Sequence, residues 1–258
     1  MKTILITGVN RGLGRSLKSF FLKNGFSVIG TTRNVRSVFH HKNLKVFYLD
    51  LTSHKSIDDL IDFFLATKTL IDVVIHNAGV AYLAPADILE EQECRNIFDV
   101  NFFGPIYLTK KLLTLLKKKS HSNLIFISSI VSVDHWPYLG VYAASKSALE
   151  TVAFEWAVLL KKWNIYVSII QPNPLPTNMQ ILQSKNFKCS PYPRLKNRKL
   201  MWEKKSDVCK LILKILNKKT PKFQYQTGQY STATVQRFLK KNIYQKTLIR
   251  YQKQFNIL

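Results

Sequence analysis

Residues 2–14, KTILITGVNRGLG, are the stretch on which the fold turns. The run KTILIT (2–7) is short and apolar, as a buried parallel strand is. Three glycines follow, Gly8, Gly12 and Gly14, and then Leu13, Leu17, Phe20 and Phe21 recur at helical spacing. Asn24-Gly25 closes that helix as a C-cap does. Strand, glycine turn and helix in that order open a βαβ unit. The glycines permit a tight turn and close backbone approach, and the helix start offers unpaired N–H groups and a positive dipole end. Thr7–Gly14 is therefore read as a phosphate-binding turn in its strand–turn–helix context.

Outward from this unit the pattern repeats. Strands are expected at 26–31, 45–49, 71–75, 124–128 and 166–170. Between them lie helical stretches at 56–64, with Asp58 and Asp59 in its first turn, at 90–116 with a bend at Gly104-Pro105, and a helix carrying Tyr142 and Lys146. Alternating strands and helices give an α/β fold: a single-domain, doubly wound parallel sheet, Rossmann-like, with helices on both faces and its ligand beyond the carboxyl ends of the strands. After Gln171 the regularity breaks. Residues 172–200 hold five of the nine prolines, so 172–205 reads as a substrate lid or insertion. A helix is expected at 206–217, a last strand within 220–231, and a basic amphipathic tail at 232–258. No internal repeat or linker divides residues 1–258.

Length and composition (258 residues, 46% hydrophobic, 21% charged) are those of a globular chain with a sizeable core. No stretch has the ~20 uninterrupted apolar residues of a membrane span, and the first residues run directly into a strand without a leader pattern. Cys94, Cys189 and Cys209 lack metal-ligand spacing, so no metal site is expected, and reduced thiols in a cytoplasmic protein are. The net charge of +24 is uneven: residues 181–258 carry 19 Lys+Arg against Glu203 and Asp207. A solvated lysine-rich surface explains most such charge, while an anionic membrane or an acidic protein is the partner it would suit. Basic and aromatic residues do not alternate as on a base-stacking surface, which argues against nucleic acid.

The chemistry is read from spacing. Tyr142 and Lys146, in YAASK (142–146), share a helix face. A neighbouring ammonium favours the phenolate, and an unassisted phenol at about pKa 10 is a poor acid–base group at neutral pH. At the end of the second strand, Gly30-Thr31-Thr32-Arg33 has no carboxylate to hold a ribose 2′-hydroxyl. Arg33 and Arg11 instead suit a 2′-phosphate, which points to NADP(H).

In this order, the turn Thr7–Gly14 (T-G-x-x-x-G-x-G), Asn77-Ala78-Gly79, Asn101, Ser129 and Y-x-x-x-K resemble the short-chain dehydrogenase/reductase family over residues 3–180. The nearest look is to its 17β-hydroxysteroid and retinol dehydrogenases, through YAASKSALE (142–150), WAVLL (156–160) and NPLPT (173–177). The resemblance implies a carbonyl–alcohol oxidoreductase using a nicotinamide cofactor. Its catalytic residues would be Asn101, Ser129, Tyr142 and Lys146. Tyr142 would be the acid–base group and Ser129 would bond the substrate oxygen. Lys146 would hold the ribose and lower the Tyr142 pKa, and Asn101 would position Lys146 through a water. The cofactor would be held by Gly8, Asn10, Arg11, Gly12, Leu13, Gly14, Arg33, Asp50, Leu51, Asn77, Ala78, Gly79, Tyr142, Lys146, Pro172 and Thr177. His76, preceding that N-A-G, is expected to have no catalytic role. Asn173 replaces a family glycine, and a modest penalty on cofactor closure is expected because asparagine tolerates positive φ. NADP(H) and a lipophilic carbonyl or alcohol are the expected ligands, and a homodimer or homotetramer the expected assembly. The alternatives are a reductase of 3-oxoacyl thioesters on a carrier protein or coenzyme A, and a non-catalytic dinucleotide-binding protein with a basic docking lobe.

Overall fold

The computed structural model describes residues 1–35, 41–134, 136–176, 181–183, 203–227 and 249. Its elements follow in chain order: β1 (Thr3–Thr7), α1 (Gly12–Lys23), β2 (Ser27–Thr32), β3 (Leu44–Tyr48), α2 (His54–Ala66), β4 (Val73–His76), β5 (Ala81–Leu83), α3 (Glu91–Phe98), a π turn (Asp99–Phe103), α4 (Gly104–Leu116), β6 (Ser122–Ile127), α5 (Gly140–Leu159), β7 (Ile165–Gln171), β8 (Ile181–Gln183), α6 (Lys205–Leu216) and β9 (Gln224–Gln226). Seven strands form one sheet in the order β3-β2-β1-β4-β6-β7-β9. Every described pairing in it is parallel.

Strands buried on both faces explain the apolar runs read in the sequence. On one face α2, α4 and α5 pack Ile57, Phe64, Leu112 and Ala153 against Leu5, Val74 and Phe126. On the other, α1 and α6 pack Leu17, Phe21, Val208 and Ile212 against Ile4, Ile6 and Ile75. Burial of a side chain of this kind is worth about 1.5–3 kcal/mol each. The strand order reverses between β1 and β4, and that switch point carries the crevice of a doubly wound sheet.

Three local features differ from expectation. Helix α2 begins at His54, with Ser53 as its N-cap accepting from Ser56 N at 3.2 Å. Asp58 and Asp59 therefore lie beyond its first turn, because the Ser53 hydroxyl starts the helix early. Between α3 and α4 the chain does not simply bend at Gly104-Pro105: the preceding five residues widen into the π turn. Pro105 has no N–H to donate, and a Cβ on Gly104 would fall 2.5 Å from Leu51 O, so the helix loosens just before it packs on that loop. Last, β5 and β8 form a separate two-stranded parallel sheet that pairs Ala81–Leu83 with Ile181–Gln183. Most of the expected lid (172–205), nearly all of the tail (232–258) and Cys189 lie outside the described residues, whereas Cys94 and Cys209 are free thiols.

Candidate active site

A cavity of about 720 Å³ runs along the carboxyl ends of β1, β2, β4 and β6. One end is made of backbone. Gly8 (φ +75°) and Gly12 (φ +57°) adopt the left-handed conformation the turn requires. Gly8 N and Val9 N donate to Thr31 O, tying the turn to β2. Asn77 N and Ala78 N donate to Thr7 Oγ1 at 3.0 Å, and Asn77 Nδ2 donates to Thr7 O at 2.9 Å, tying it to β4. The N-cap residue of α1, Arg11, makes no side-chain cap hydrogen bond, and the first turn of α1 has no acidic residue. The start of α1 thus differs from that of α2, which the Ser53 hydroxyl caps. A helix start opening into a cavity without a cap hydrogen bond from its N-cap side chain fits an anionic group.

The sequence-predicted residues Gly8, Asn10, Arg11, Gly12, Leu13, Gly14, Arg33, Asp50, Leu51, Asn77, Ala78 and Gly79 all line this cavity, as do Ser129, Tyr142, Lys146 and Pro172. Arg11 and Arg33 are both exposed at its rim. Asn10 Nδ2 donates to Asn34 O at 2.6 Å and so holds the turn against the chain after β2. Asp50 accepts from Thr52 N at 3.0 Å and Thr52 Oγ1 at 2.9 Å, which fixes its loop. Thr177 lies outside the described residues.

At the other end the walls are side chains. Ser129 caps a short 3₁₀ turn (Ile130–Ser132), and its hydroxyl is hydrogen-bonded to the Tyr142 phenol. Tyr142 and Lys146 sit one turn apart on the buried face of α5. Lys146 Nζ donates to Ile127 O at 3.0 Å. Asn101 is fully buried in the π turn. Its amide accepts from Val80 N (2.9 Å) and donates to Val80 O (2.8 Å) and Ser145 Oγ (3.1 Å). A Cβ on Gly79 would come within 3.1 Å of Asn101 Oδ1 and 3.6 Å of Lys146 Nζ, so Asn101, Gly79 and Lys146 converge.

The electrostatics correct one expectation. Burial pushes the Tyr142 phenol up to about 12, and the Ser129 hydrogen bond offsets this only in part. Burial outweighs the Lys146 charge in this arrangement. The Lys146 ammonium is turned to Ile127 O and stands 5.9 Å from the phenol ring centroid. Burial brings Lys146 itself down to about 8, opposed by the field of Glu150. His76, enclosed against Phe126 and bonded to Thr109 at 2.9 Å, is pushed down to about 3 by burial and by the Lys146 charge, and so is neutral. Asn173 is not among the described residues with positive φ, so asparagine there carries no left-handed strain. Its N–H donates to Glu203 Oε2 at 3.0 Å.

Sequence reasoning missed two parts of the site. Val131, Trp136 and Leu139, with Ala81 and Leu83, make an apolar wall beside Tyr142. Glu150, also missed, lies buried two turns along α5 from Tyr142, bonded to Ser128, Ser132 and Gln171. A carboxylate in register with Tyr142 and Lys146 on a largely apolar helix was the available signal.

The model of the family described as short chain dehydrogenase matches residues 2–187. Retinol dehydrogenase 8 of Bos taurus is 28% identical over 191 residues, which are 69% of this chain and 61% of that protein. This chain therefore spans about three-fifths of that relative's length. The NADPH-dependent 3-dehydrocapnine reductase of Ornithobacterium rhinotracheale is 31% identical over 190 residues, 69% of this chain and 67% of that one. Among solved structures, a short-chain dehydrogenase from Streptomyces avermitilis superposes with a TM-score of 0.81 over 99% of this chain and 97% of its own. At 22% identity that likeness speaks for the fold alone.

Proposed function

This chain belongs to the short-chain dehydrogenase family, and from that premise we propose that it is an NADP(H)-dependent oxidoreductase interconverting a carbonyl and an alcohol on a lipophilic substrate. The observation that carries this is the convergence of Ser129, Tyr142 and Lys146 at one end of a cavity whose other end is the glycine turn before α1. The start of α1, whose N-cap side chain makes no cap hydrogen bond, together with the Gly8–Gly14 backbone, fits a dinucleotide's phosphates. Bound there, the nicotinamide cofactor supplies the hydride chemistry. Tyr142, protonated at neutral pH, donates its phenolic proton to the carbonyl oxygen during reduction and recovers it in the reverse direction. Ser129 donates to the same oxygen and holds it against the phenol. Lys146, charged below about pH 8, places a positive field where negative charge develops. Asn101 fixes Val80 and Ser145, and with them the cavity floor beneath Lys146.

NADP(H) over NAD(H) is supported by Arg11 and Arg33 at the rim and by the absence of a carboxylate at the end of β2. The apolar wall of Val131, Trp136 and Leu139 supports a lipophilic substrate, as does the likeness to a retinol dehydrogenase. Exposed Phe103 beside α4 and Leu159 at the end of α5 suit helix pairing between copies, consistent with a homodimer or homotetramer in the cytoplasm. Light scattering at micromolar concentration checks that assembly, and a monomer mass would rule it out.

The test of function is NADPH oxidation, followed optically, against all-trans-retinal, a 17-keto steroid, an aromatic diketone and a 3-oxoacyl thioester. Turnover with one of the first three, lost in Tyr142→Phe, is the expected result. Preference for the thioester would replace the substrate class. NADPH binding without turnover on any of the four would remove the enzyme reading.

A further inference from the structure

Glu150 is the buried ionisable group that the reaction above does not use. It is 8% exposed, one helical turn beyond Lys146. Its Oε1 contacts Ser128 Oγ, Ser132 Oγ at 2.6 Å and Gln171 Nε2 at 2.9 Å, and Gln171 Nε2 is equally close to Oε2. Gln171 Oε1 takes hydrogen bonds from Gln224 Nε2 (2.6 Å) and Gln226 Nε2 (3.0 Å) on β9. Those two bonds set the Gln171 amide so that its NH₂ faces Glu150 and Ser132.

Ser132 Oγ lies 2.7 Å from Ser129 O and 2.6 Å from Glu150 Oε1, yet a hydroxyl owns a single hydrogen. The Ser129 carbonyl can only accept. With Glu150 ionised, one of these two short oxygen–oxygen contacts has no hydrogen in it, whichever way the Ser132 hydroxyl turns. Gln171 cannot supply it, because its NH₂ donates to Ser132 and Glu150 but does not lie between them and Ser129. A proton on Glu150 Oε1 fills the gap: Glu150 donates to Ser132, and Ser132 donates to Ser129 O.

We infer that Glu150 is a positioning residue of the catalytic centre that acts as a neutral acid, its single buried proton completing the chain Glu150–Ser132–Ser129 O that sets Ser129 against Tyr142. The inference rests on the reading of Ser129 and Tyr142 given above. The same carboxyl also holds Ser128, while Lys146 holds Ile127 O, so three successive residues at the end of β6 are tied to α5. Burial raises the Glu150 carboxyl above the usual range, in the direction the hydrogen count requires, and its serine and glutamine bonds oppose that in part. Lys146 is the charged group acting on it among the described residues, and its charge favours the ionised carboxyl, against the burial that raises it. A neutral Glu150 withdraws the field that opposes the burial of Lys146, so Lys146 then falls further below its ordinary value. The side chains facing it from the β6 end, the 3₁₀ turn and β7 are the neutral Ser128, Ser132 and Gln171.

The proton is tested without any substrate. The infrared spectrum of wild type minus Glu150→Gln at pH 7 should contain a protonated carboxyl C=O band that shifts in D₂O. Carboxylate bands in its place would overturn the inference. Stability gives a second readout. A carboxyl raised in the folded state lends stability that is complete below its unfolded pKa and is lost as pH rises through the folded value. Wild type should therefore lose thermal midpoint relative to Glu150→Gln as pH rises, and the opposite trend would refute the neutral acid. Positioning is tested by NADPH-dependent reduction of all-trans-retinal and an aromatic diketone. Glu150→Ala should lower kcat about tenfold or more while leaving the NADPH Kd within about twofold, and Glu150→Gln, which can still donate to Ser132, should recover most of it. Folded Glu150→Ala with wild-type kcat would end the positioning role. If wild type reduces none of the compounds, the functional reading fails while the infrared result still decides the proton.

Discussion

The two ends of the cavity are built on opposite principles. At the Gly8–Gly14 end the working surface is backbone, and what matters is the side chains that are missing: a Cβ on Gly14 would lie 2.0 Å from Gly8 O and 2.6 Å from Asn77 Nδ2. At the Tyr142 end the working surface is side chains, taken out of water and altered by that removal, with the phenol pushed up to about 12 and the ammonium down to about 8. Backbone sites recognise by shape and by the dipole at the start of a helix, and need no ionisable group. Side-chain sites do chemistry because burial has shifted their proton equilibria, which costs stability. Damage at the first end should therefore abolish binding, and damage at the second should abolish turnover while sparing binding.

The largest expected effect is at the second end. Tyr142→Phe removes the donated proton and the Ser129 partner while keeping the ring in its apolar wall. Turnover should fall about a thousandfold or more, with the NADPH Kd, measured by fluorescence titration, changed less than about threefold. A parallel loss of NADPH binding would break the contrast. Next is Gly14→Ala. The nearest atoms to the new methyl belong to backbone and to the Asn77 amide that ties the turn to β4, so the turn itself must move. NADPH affinity should drop about a hundredfold, and the thermal midpoint should fall too. Unchanged affinity would mean that the turn is not the phosphate site.

Lys146→Met sharpens the comparison because its two effects have opposite signs. Reduction should be lost, yet the protein should become more stable near neutral pH. The displacement of Lys146 from 10.5 to about 8 corresponds to about 3 kcal/mol of net penalty on the charged form, burial less the opposing Glu150 field. Losing its bond to Ile127 O returns about 1 kcal/mol of that. A group lowered in the folded state favours folding above its unfolded pKa, and that contribution is lost as pH falls through the folded value. The variant's advantage, about 2 kcal/mol near neutral pH, should therefore shrink between pH 8 and 10.5. Denaturant melts at several pH values measure this, and a variant less stable at every pH would mean that burial of Lys146 is already compensated. In wild type the same ionisation should make carbonyl reduction decline above about pH 8.

The first end was legible from the chain because each of its signals is local. An apolar run, glycines at fixed offsets and a helical period occupy thirteen consecutive residues, 2–14, and no distant contact has to be known to read them. The positions of Asn101, Ser129, Tyr142 and Lys146 were legible for a different reason, the resemblance to a known family, and the fold brings Ser129, Tyr142 and Lys146 onto one cavity. What stayed hidden depends on contacts between distant segments. The β5–β8 pair joins Ala81 to Ile181. The π turn follows from Pro105 and from the approach of Gly104 to Leu51, more than fifty residues earlier. The Glu150 cluster requires α5, the end of β6, β7 and β9 to meet. The rise of the Tyr142 pKa was not legible because spacing along a helix reveals the neighbour at i+4 but not how completely both groups leave water.

The smallest expected effect lies where the two principles meet, at Arg33. This side chain is exposed at the rim of the backbone end, beyond Thr31 and Thr32 of β2, where the chain carries no carboxylate. A guanidinium there recognises a phosphate through charge-assisted bonds but remains in water, so its contribution is screened and modest. Arg33→Ala should weaken NADPH about tenfold, or about 1.4 kcal/mol, and leave NADH unchanged. The wild-type preference should itself narrow as salt is raised, whereas the Tyr142 effect, buried from solvent, should not respond to salt. Isothermal titrations of both cofactors at two ionic strengths separate the outcomes. A shift confined to Arg11→Ala would move the selectivity to the start of α1. If both variants kept the wild-type ratio, neither arginine would set the preference, and the proposed choice of NADP(H) would fall without touching the catalytic end.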